Sequence, residues 1–262
     1  MAFIETPQIS IEDLINYLNQ FPKDAIVCTH NSHAWNSNKI KPINKSDMEY
    51  FIIDGASRDR TVEIAEGYRE VFAEKGIPYH IVSEPDGGIY DAMNKGIRLA
   101  NGEIIGLLNT DDTYEPEAIE TVIDTFAKEN CELMFANIRI HKQDGSSFIK
   151  KARLRKPETS RDWNHPTTFV KAELYKEYPF RNLGIHDDYG FFLQMKKQNR
   201  RIVTVDKVLA NFRLGGASNK KSFKAAKKRI RDRYQYCYRI NGYSRLYIVE
   251  CVAIEVAKMV LG

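Results

Sequence analysis

Two adjacent carboxylates, Asp111 and Asp112, end the stretch Asn109-Thr-Asp-Asp112, and an apolar run over residues 104–108 leads directly into them. A short apolar run of this kind reads as a buried strand, which leaves both carboxylates at its C-terminal edge. Ligands of open α/β sheets gather at that edge, and hard oxygen donors suit Mg2+ or Mn2+ rather than zinc. Just upstream stands Ser83-Glu-Pro-Asp-Gly-Gly-Ile-Tyr-Asp-Ala-Met-Asn-Lys-Gly-Ile97. Gly87 and Gly88 let the backbone approach a ligand and turn sharply into a helix, whose N-terminus favours an anion. Loop, helix and acidic strand end together suit a metal-bound nucleotide. Each part also has a plain structural use: the Asp pair can cap the helix that Pro116 opens, and Asp91 with Lys95 is an ordinary helical ion pair.

A second acidic strand end strengthens the first. Residues 50–53 are apolar and run into Asp54-Gly-Ala-Ser-Arg-Asp59, so Asp54 opens onto the same rim of the sheet. The elements that must position these groups follow from hydrophobic spacing. Residues 61–72 and 89–100 carry helical patterns, residues 79–82 form a strand between them, and Ala118, Ile119, Val122, Ile123 and Phe126 form the buried face of a helix after Pro116. Residues 133–140 and 148–151 flank Gln143-Asp144-Gly145, which predicts an antiparallel hairpin. Ahead of all these, Ile11, Leu14, Ile15 and Leu18 predict a helix and residues 25–31 a strand. The alternation predicts an α/β fold with a mostly parallel, Rossmann-like sheet flanked by helices, a small antiparallel element and a C-terminal helical extension.

Of 262 residues, 43% are hydrophobic, enough for one large domain with an extension. Cys28, Cys131, Cys237 and Cys251 form no CxxC pair, so neither a zinc site nor a disulfide framework is indicated. No signal peptide or long uncharged apolar run is visible, and the chain is expected in the cytoplasm. The net charge of +4 is concentrated late in the chain. Within residues 220–233, Lys220, Lys224, Lys227, Lys228 and Arg231 share one helical face, opposite Phe223, Ala226, Ile230 and Tyr234. Such a helix can lie on an anionic membrane surface or on nucleic-acid phosphate, or it can pack by its apolar face with its lysines solvated. Residues 246–261 carry a wide apolar stripe interrupted by Glu250, Glu255 and Lys258, which suits burial on the domain or in a homo-oligomer better than spanning a bilayer.

Three downstream segments also bring chemistry-bearing residues together. Trp163-Asn-His-Pro-Thr-Thr-Phe169 and Gly184-Ile-His-Asp-Asp-Tyr-Gly190 read as loops, the second of which leads into a helix. His186, Asp187 and Asp188 could serve there as a simple cap. Asn211-Phe-Arg-Leu-Gly-Gly-Ala-Ser218 places Arg213 before a Gly-Gly turn. A guanidinium forks onto phosphate oxygens and glycine exposes amide donors, so this segment could close over a diphosphate.

From about residue 50 to 218 the chain resembles family 2 glycosyltransferases, enzymes of the GT-A fold that move a sugar from a nucleotide diphosphate to an acceptor hydroxyl. The resemblance rests on the Asp54 strand end, the Glu-Pro-Asp-Gly-Gly-Ile-Tyr-Asp-Ala-Met-Asn-Lys-Gly segment, Asn109-Thr-Asp-Asp112 and the Asp187-Asp188 pair. It implies that Asp54 holds the nucleobase, with Thr29 on the earlier strand beside it, and that Asp91, Asn94 and Lys95 line the nucleotide pocket. Asn109 replaces the first acid of the family's Asp-any-Asp motif, while Asp111 and Asp112 meet the ribose and a diphosphate-bound Mn2+ or Mg2+. Asp188 takes the place of the catalytic base, and Asp187 replaces the glutamate before it.

The implied activity is inverting transfer from a UDP-sugar to a glycan or lipid-linked glycan, in cell-surface polysaccharide synthesis at the cytoplasmic leaflet. Residues 1–218 would form the transferase domain, with the nucleotide part at about 25–130 and the acceptor part at about 131–218. Residues 219–262 would add the basic and amphipathic helices. A metal-dependent nucleotidyltransferase would also use acidic strand ends, but the glycine-rich loop and lysine expected of it are missing. A nucleic-acid-binding module leaves the acidic rim without a purpose, and no nucleic-acid partner is expected.

Overall fold

The computed structural model of the chain describes residues 25–30, 48–110, 112–214 and 222–261. The helix expected around Ile11 to Leu18, Asp111, the Gly215-Gly216 turn and Lys220 lie outside the described residues.

Among the described residues, a nine-stranded sheet organises the fold. Its strands are β1 (Ala25–His30), β2 (Met48–Asp54), β3 (Tyr79–Ser83), β4 (Ile104–Asn109), β5 (Thr113–Tyr114), β6 (Leu133–His141), β7 (Ser147–Lys150), β8 (Phe169–Lys171) and β9 (Ile202–Arg213). The helices are α1 (Thr61–Glu66), α2 (Arg69–Glu74), α3 (Ile89–Leu99), α4 (Ala118–Glu129), α5 (Ala172–Glu177), α6 (Asp187–Lys197), α7 (Phe223–Asp232) and α8 (Tyr247–Leu261). A π-helical turn, Arg233–Arg239, continues α7.

Period-two alternation in the strands divides the core in two. In β2, Phe51 and Ile53 face one side while Tyr50 and Ile52 face the other, and in β4 Ile105 and Leu107 oppose Ile104 and Leu108. One face packs against α3, α5, α6 and the C-terminal helices. The other packs against α1, α2 and α4. This three-layer α/β arrangement is the expected class.

The sheet itself is mixed rather than mostly parallel. Its order is β3-β2-β1-β4-β8-β6-β9-β5, with β7 on β6, and among the described strands only β2–β3 and β6–β9 pair in parallel. β1 runs against both of its neighbours, β2 and β4. The β6–β7 hairpin forms as the Asp-Gly turn predicts, with Gly145 at positive φ. The helix expected over 61–72 is broken into α1 and α2 around Gly67, a residue that weakens a helix interior.

The C-terminal helices are part of the same core. Cys237, Tyr238, Tyr243 and Cys251 are buried in it beside Tyr189 and Phe191 of α6. Gly190 of α6 lies under the turn: a Cβ there would meet the Tyr236 carbonyl at 3.2 Å. Of the expected apolar face of the basic helix, Ala226, Ile230 and Tyr234 do pack inward and Phe223 does not. Phe223 is 81% exposed, while Ala226, Arg229 and Arg233 face inward. Glu255 of α8 explains this orientation, because its buried carboxylate lies 2.7 Å from Arg229 and 3.5 Å from Arg233. Buried cations require such a partner.

Candidate active site

β2 and β3 run parallel and deliver Asp54 and Ser83 side by side. Asp54 is buried and accepts hydrogen bonds from the Ser57 amide and the Ser83 hydroxyl. The Glu84 amide donates to the Asp54 carbonyl, which joins the first acidic loop to the second. The Gly-Gly turn then follows. Gly88 adopts φ 120°, a conformation that disfavours any residue with a Cβ, and the chain enters α3 from there.

Three residues expected to line a nucleotide pocket hold the surrounding backbone. Asp91 accepts from the Gly87 amide at 2.9 Å. Lys95 donates to the Pro85 carbonyl at 2.8 Å and lies 3.2 Å from Glu84. Asn94 clamps Phe180 through both of its side-chain groups, donating to the carbonyl at 2.8 Å and accepting from the amide at 3.0 Å.

Asn109 ends β4 and Asp112 follows, with its amide donating to the Asn109 carbonyl at 3.0 Å. Asp112 is fully buried, and the Asn109 Oδ1 atom is buried without a hydrogen-bond partner among the described residues. β5 pairs with β9 through Thr113 and Asn211, which brings the strand end carrying Arg213 to the same margin. Thr29 is placed elsewhere. It pairs with Glu49 and Ile105, near the starts of β2 and β4, whereas Asp54 and Asn109 stand at their ends. The antiparallel course of β1 separates them.

Asp187 and Asp188 open α6 and do different work. Asp187 is buried, accepts from the Leu183 and Gly184 amides at 2.7 and 3.1 Å, and is pushed up from the usual carboxylate range by burial. It secures the loop. Asp188 is 18% exposed and accepts at Oδ1 from the Tyr90 hydroxyl at 2.9 Å and the Tyr189 amide at 2.8 Å. His165 Nδ1 lies 3.2 Å from Oδ2. Burial first, and then the Asp188 charge, push the Tyr90 phenol up, so it remains protonated and donates. Burial lowers His165 against the opposing pull of Asp188, so the ring is neutral near pH 7.

Tyr90 and His165 were visible in the motifs but had no assigned role. Tyr90 has the i, i+3, i+7 spacing of Met93 and Ile97 on the buried face of α3, a signal of packing rather than of chemistry.

Among the described residues no cluster of three or more His, Cys, Asp or Glu side chains could cage a metal. A cation carried by a diphosphate takes oxygens from phosphate and water, so one or two carboxylates suffice. The hard oxygens of Asn109 and Asp112, including the orphaned Asn109 Oδ1, fit such an ion.

Known proteins resemble this chain in sequence and fold. The sequence model of glycosyl transferase family 2 matches residues 25–198. TuaG of Bacillus subtilis, a glycosyltransferase assigned by name to teichuronic acid biosynthesis, is 24% identical over 187 residues, covering 69% of this chain and 73% of TuaG. The chondroitin synthase of Pasteurella multocida is 28% identical over 162 residues, which span 58% of this chain but only 16% of the synthase. A mannosyltransferase from Pyrobaculum calidifontis, solved with GDP-Man and Mn2+, shares the fold with a TM-score of 0.54 at 16% identity, over 98% of this chain and 67% of that one. With its α/β layers, acidic strand ends and helix-borne Asp pair, the chain belongs to glycosyl transferase family 2 and has the GT-A fold.

Proposed function

We propose that this glycosyltransferase moves a sugar from a UDP-sugar to an acceptor hydroxyl in a single displacement that inverts the anomeric carbon. The observation that carries this reading is the position of Asp188, held at the start of α6 by Tyr90 of the helix that follows the Gly-Gly turn. A base must lie close to the donor yet open to an acceptor, and the 18% exposure of Asp188 suits that role. Asp188 takes the proton as the acceptor oxygen bonds to the anomeric carbon, and the bond to the diphosphate breaks with its electron pair on the leaving group. Asp54 holds the nucleobase end of the donor, and Arg213 closes on the diphosphate.

Asp111 or Asp112 would hold the Mn2+ or Mg2+, which neutralises charge on the departing diphosphate. The teichuronic acid and chondroitin names of the relatives support a cell-surface glycan, free or lipid-linked, as acceptor. Exposed Lys224, Lys227, Lys228 and Arg231, near the exposed Phe223, suit attachment to an anionic membrane surface.

Incubation with a panel of UDP-, GDP- and dTDP-sugars plus Mn2+, with nucleotide release as readout, tests the reading. Release from a UDP-sugar alone is the expected result. Release from GDP-sugars alone would overturn the donor assignment, and release from none would overturn the reading as a whole.

A further inference from the structure

We infer that His165 is a positioning residue for Asp188, an inference that rests on Asp188 being the base. The imidazole is largely buried, 12% exposed, in the turn that joins Asn164 to Pro166, and it packs edge-on against Trp163 with ring centroids 5.9 Å apart. A buried imidazole normally satisfies both nitrogens. Here Nε2 has no hydrogen-bond partner among the described residues, whereas Nδ1 stands 3.2 Å from Asp188 Oδ2. The polar contact that gives the ring its orientation is therefore the one to Asp188.

With a neutral ring the proton belongs on Nδ1, facing the carboxylate, and the lone pair on Nε2. The two Asp188 oxygens are then held from opposite sides of the chain. Tyr90 and the Tyr189 amide donate to Oδ1, and the His165 ring faces Oδ2 at 3.2 Å, close enough for its N–H to engage that oxygen. A carboxylate oxygen accepts more than one hydrogen bond, so this grip fixes the plane of the group and leaves lone pairs for the acceptor hydroxyl. Catalytic hydrogen bonds are often loose before substrate binds and tighten in the productive complex, as a 3.2 Å approach allows. His165 touches neither donor nor acceptor in this scheme. Its effect on rate passes through Asp188.

The test measures steady-state kinetics and UDP binding for His165→Ala, His165→Asn and Asp188→Asn. Asn places an amide N–H near the position of Nδ1. Expected are a fall in kcat of about 10- to 100-fold in the Ala variant, the scale for losing a group that orients a reacting side chain, with donor KM and UDP affinity within about twofold of wild type. The Asn variant should recover most of kcat. If Ala does not fold, His165→Leu, which fills the volume without an N–H, takes its place beside Asn. Wild-type kcat in the Ala or Leu variant, or an Asn variant as slow as either, would overturn the inference. An active Asp188→Asn variant would instead remove the base assignment beneath it.

Discussion

The Tyr90 hydroxyl donates to Asp188 at 2.9 Å, and this contact joins residues 98 positions apart in the chain. It links the helix behind the Gly-Gly turn to the helix whose first turn carries the Asp pair. The two helices therefore share a partly buried hydrogen bond at the carboxylate proposed as the base. Burial and then the Asp188 charge push the phenol up from its ordinary value, which keeps it protonated as the donor.

The two acidic neighbours should separate cleanly on mutation. Asp188→Asn is expected to lower turnover by about 10² or more with UDP binding nearly intact, the usual loss for a general base. Asp187→Asn replaces one carboxylate oxygen with a donor facing the Leu183 or Gly184 amide, so thermal stability should fall along with activity. An active Asp188→Asn enzyme beside a fully folded, dead Asp187→Asn enzyme would show that the roles are reversed.

Metal dependence gives a second check. EDTA should abolish turnover, and Mn2+ or Mg2+ should restore it. Asp111→Asn is expected to reduce metal-dependent UDP affinity and turnover together. Asp112 is fully buried, so Asp112→Asn should also lower the midpoint of thermal unfolding. Undiminished transfer in EDTA would sink the metal assignment.

Acid should weaken the fold in a window set by imidazoles. Burial, followed by the charge of Arg233, drives His186 well below its ordinary value of 6.5, and burial lowers His165 from the same value. The unfolded chain therefore binds protons first as pH falls. Their contribution to stability is complete above about pH 6.5 and diminishes below it, by up to about 1.4 kcal/mol per pH unit for each group. Asp187 acts in the opposite direction, since its raised value favours the protonated folded state. Urea unfolding at pH 7.5, 6.5 and 5.5 should show a steeper loss for the wild type than for His186→Asn. Equal slopes would remove His186 from the account.

The basic helix predicts salt-sensitive membrane binding. Lys224, Lys227 and Lys228 are exposed, and each could add about 1 kcal/mol near an anionic surface, less for Lys228 because it also pairs with Asp232 at 2.6 Å. Replacing all three with Gln should reduce sedimentation with phosphatidylserine vesicles at low salt and leave transfer to a small soluble acceptor unchanged. No helix among the described residues is long and apolar enough to cross a membrane, so any attachment through α7 would be at the surface. Equal vesicle binding by both proteins would return α7 to a solvated face.

Local pattern was enough to read most elements and the turns between them. Alternation in β2 and β4, helical spacing in α3 and α4, the Gly-Gly turn and the Asp-Gly hairpin are all written over a few consecutive residues, because backbone period and turn sterics act at short range. The acidic strand ends were legible for the same reason. What the side chains at the site meet was not. Asn94 clamps Phe180 86 positions away, Arg229 finds Glu255 26 positions on, and Thr29 stands away from Asp54 because β1 runs antiparallel. Asp187 and Asp188 look alike as a pair, and only the packing of α6 turns one toward backbone amides and the other toward Tyr90 and His165. Strand direction and helix rotation are set by the sum of contacts over the whole core, so a partner far along the chain leaves no mark in the local pattern.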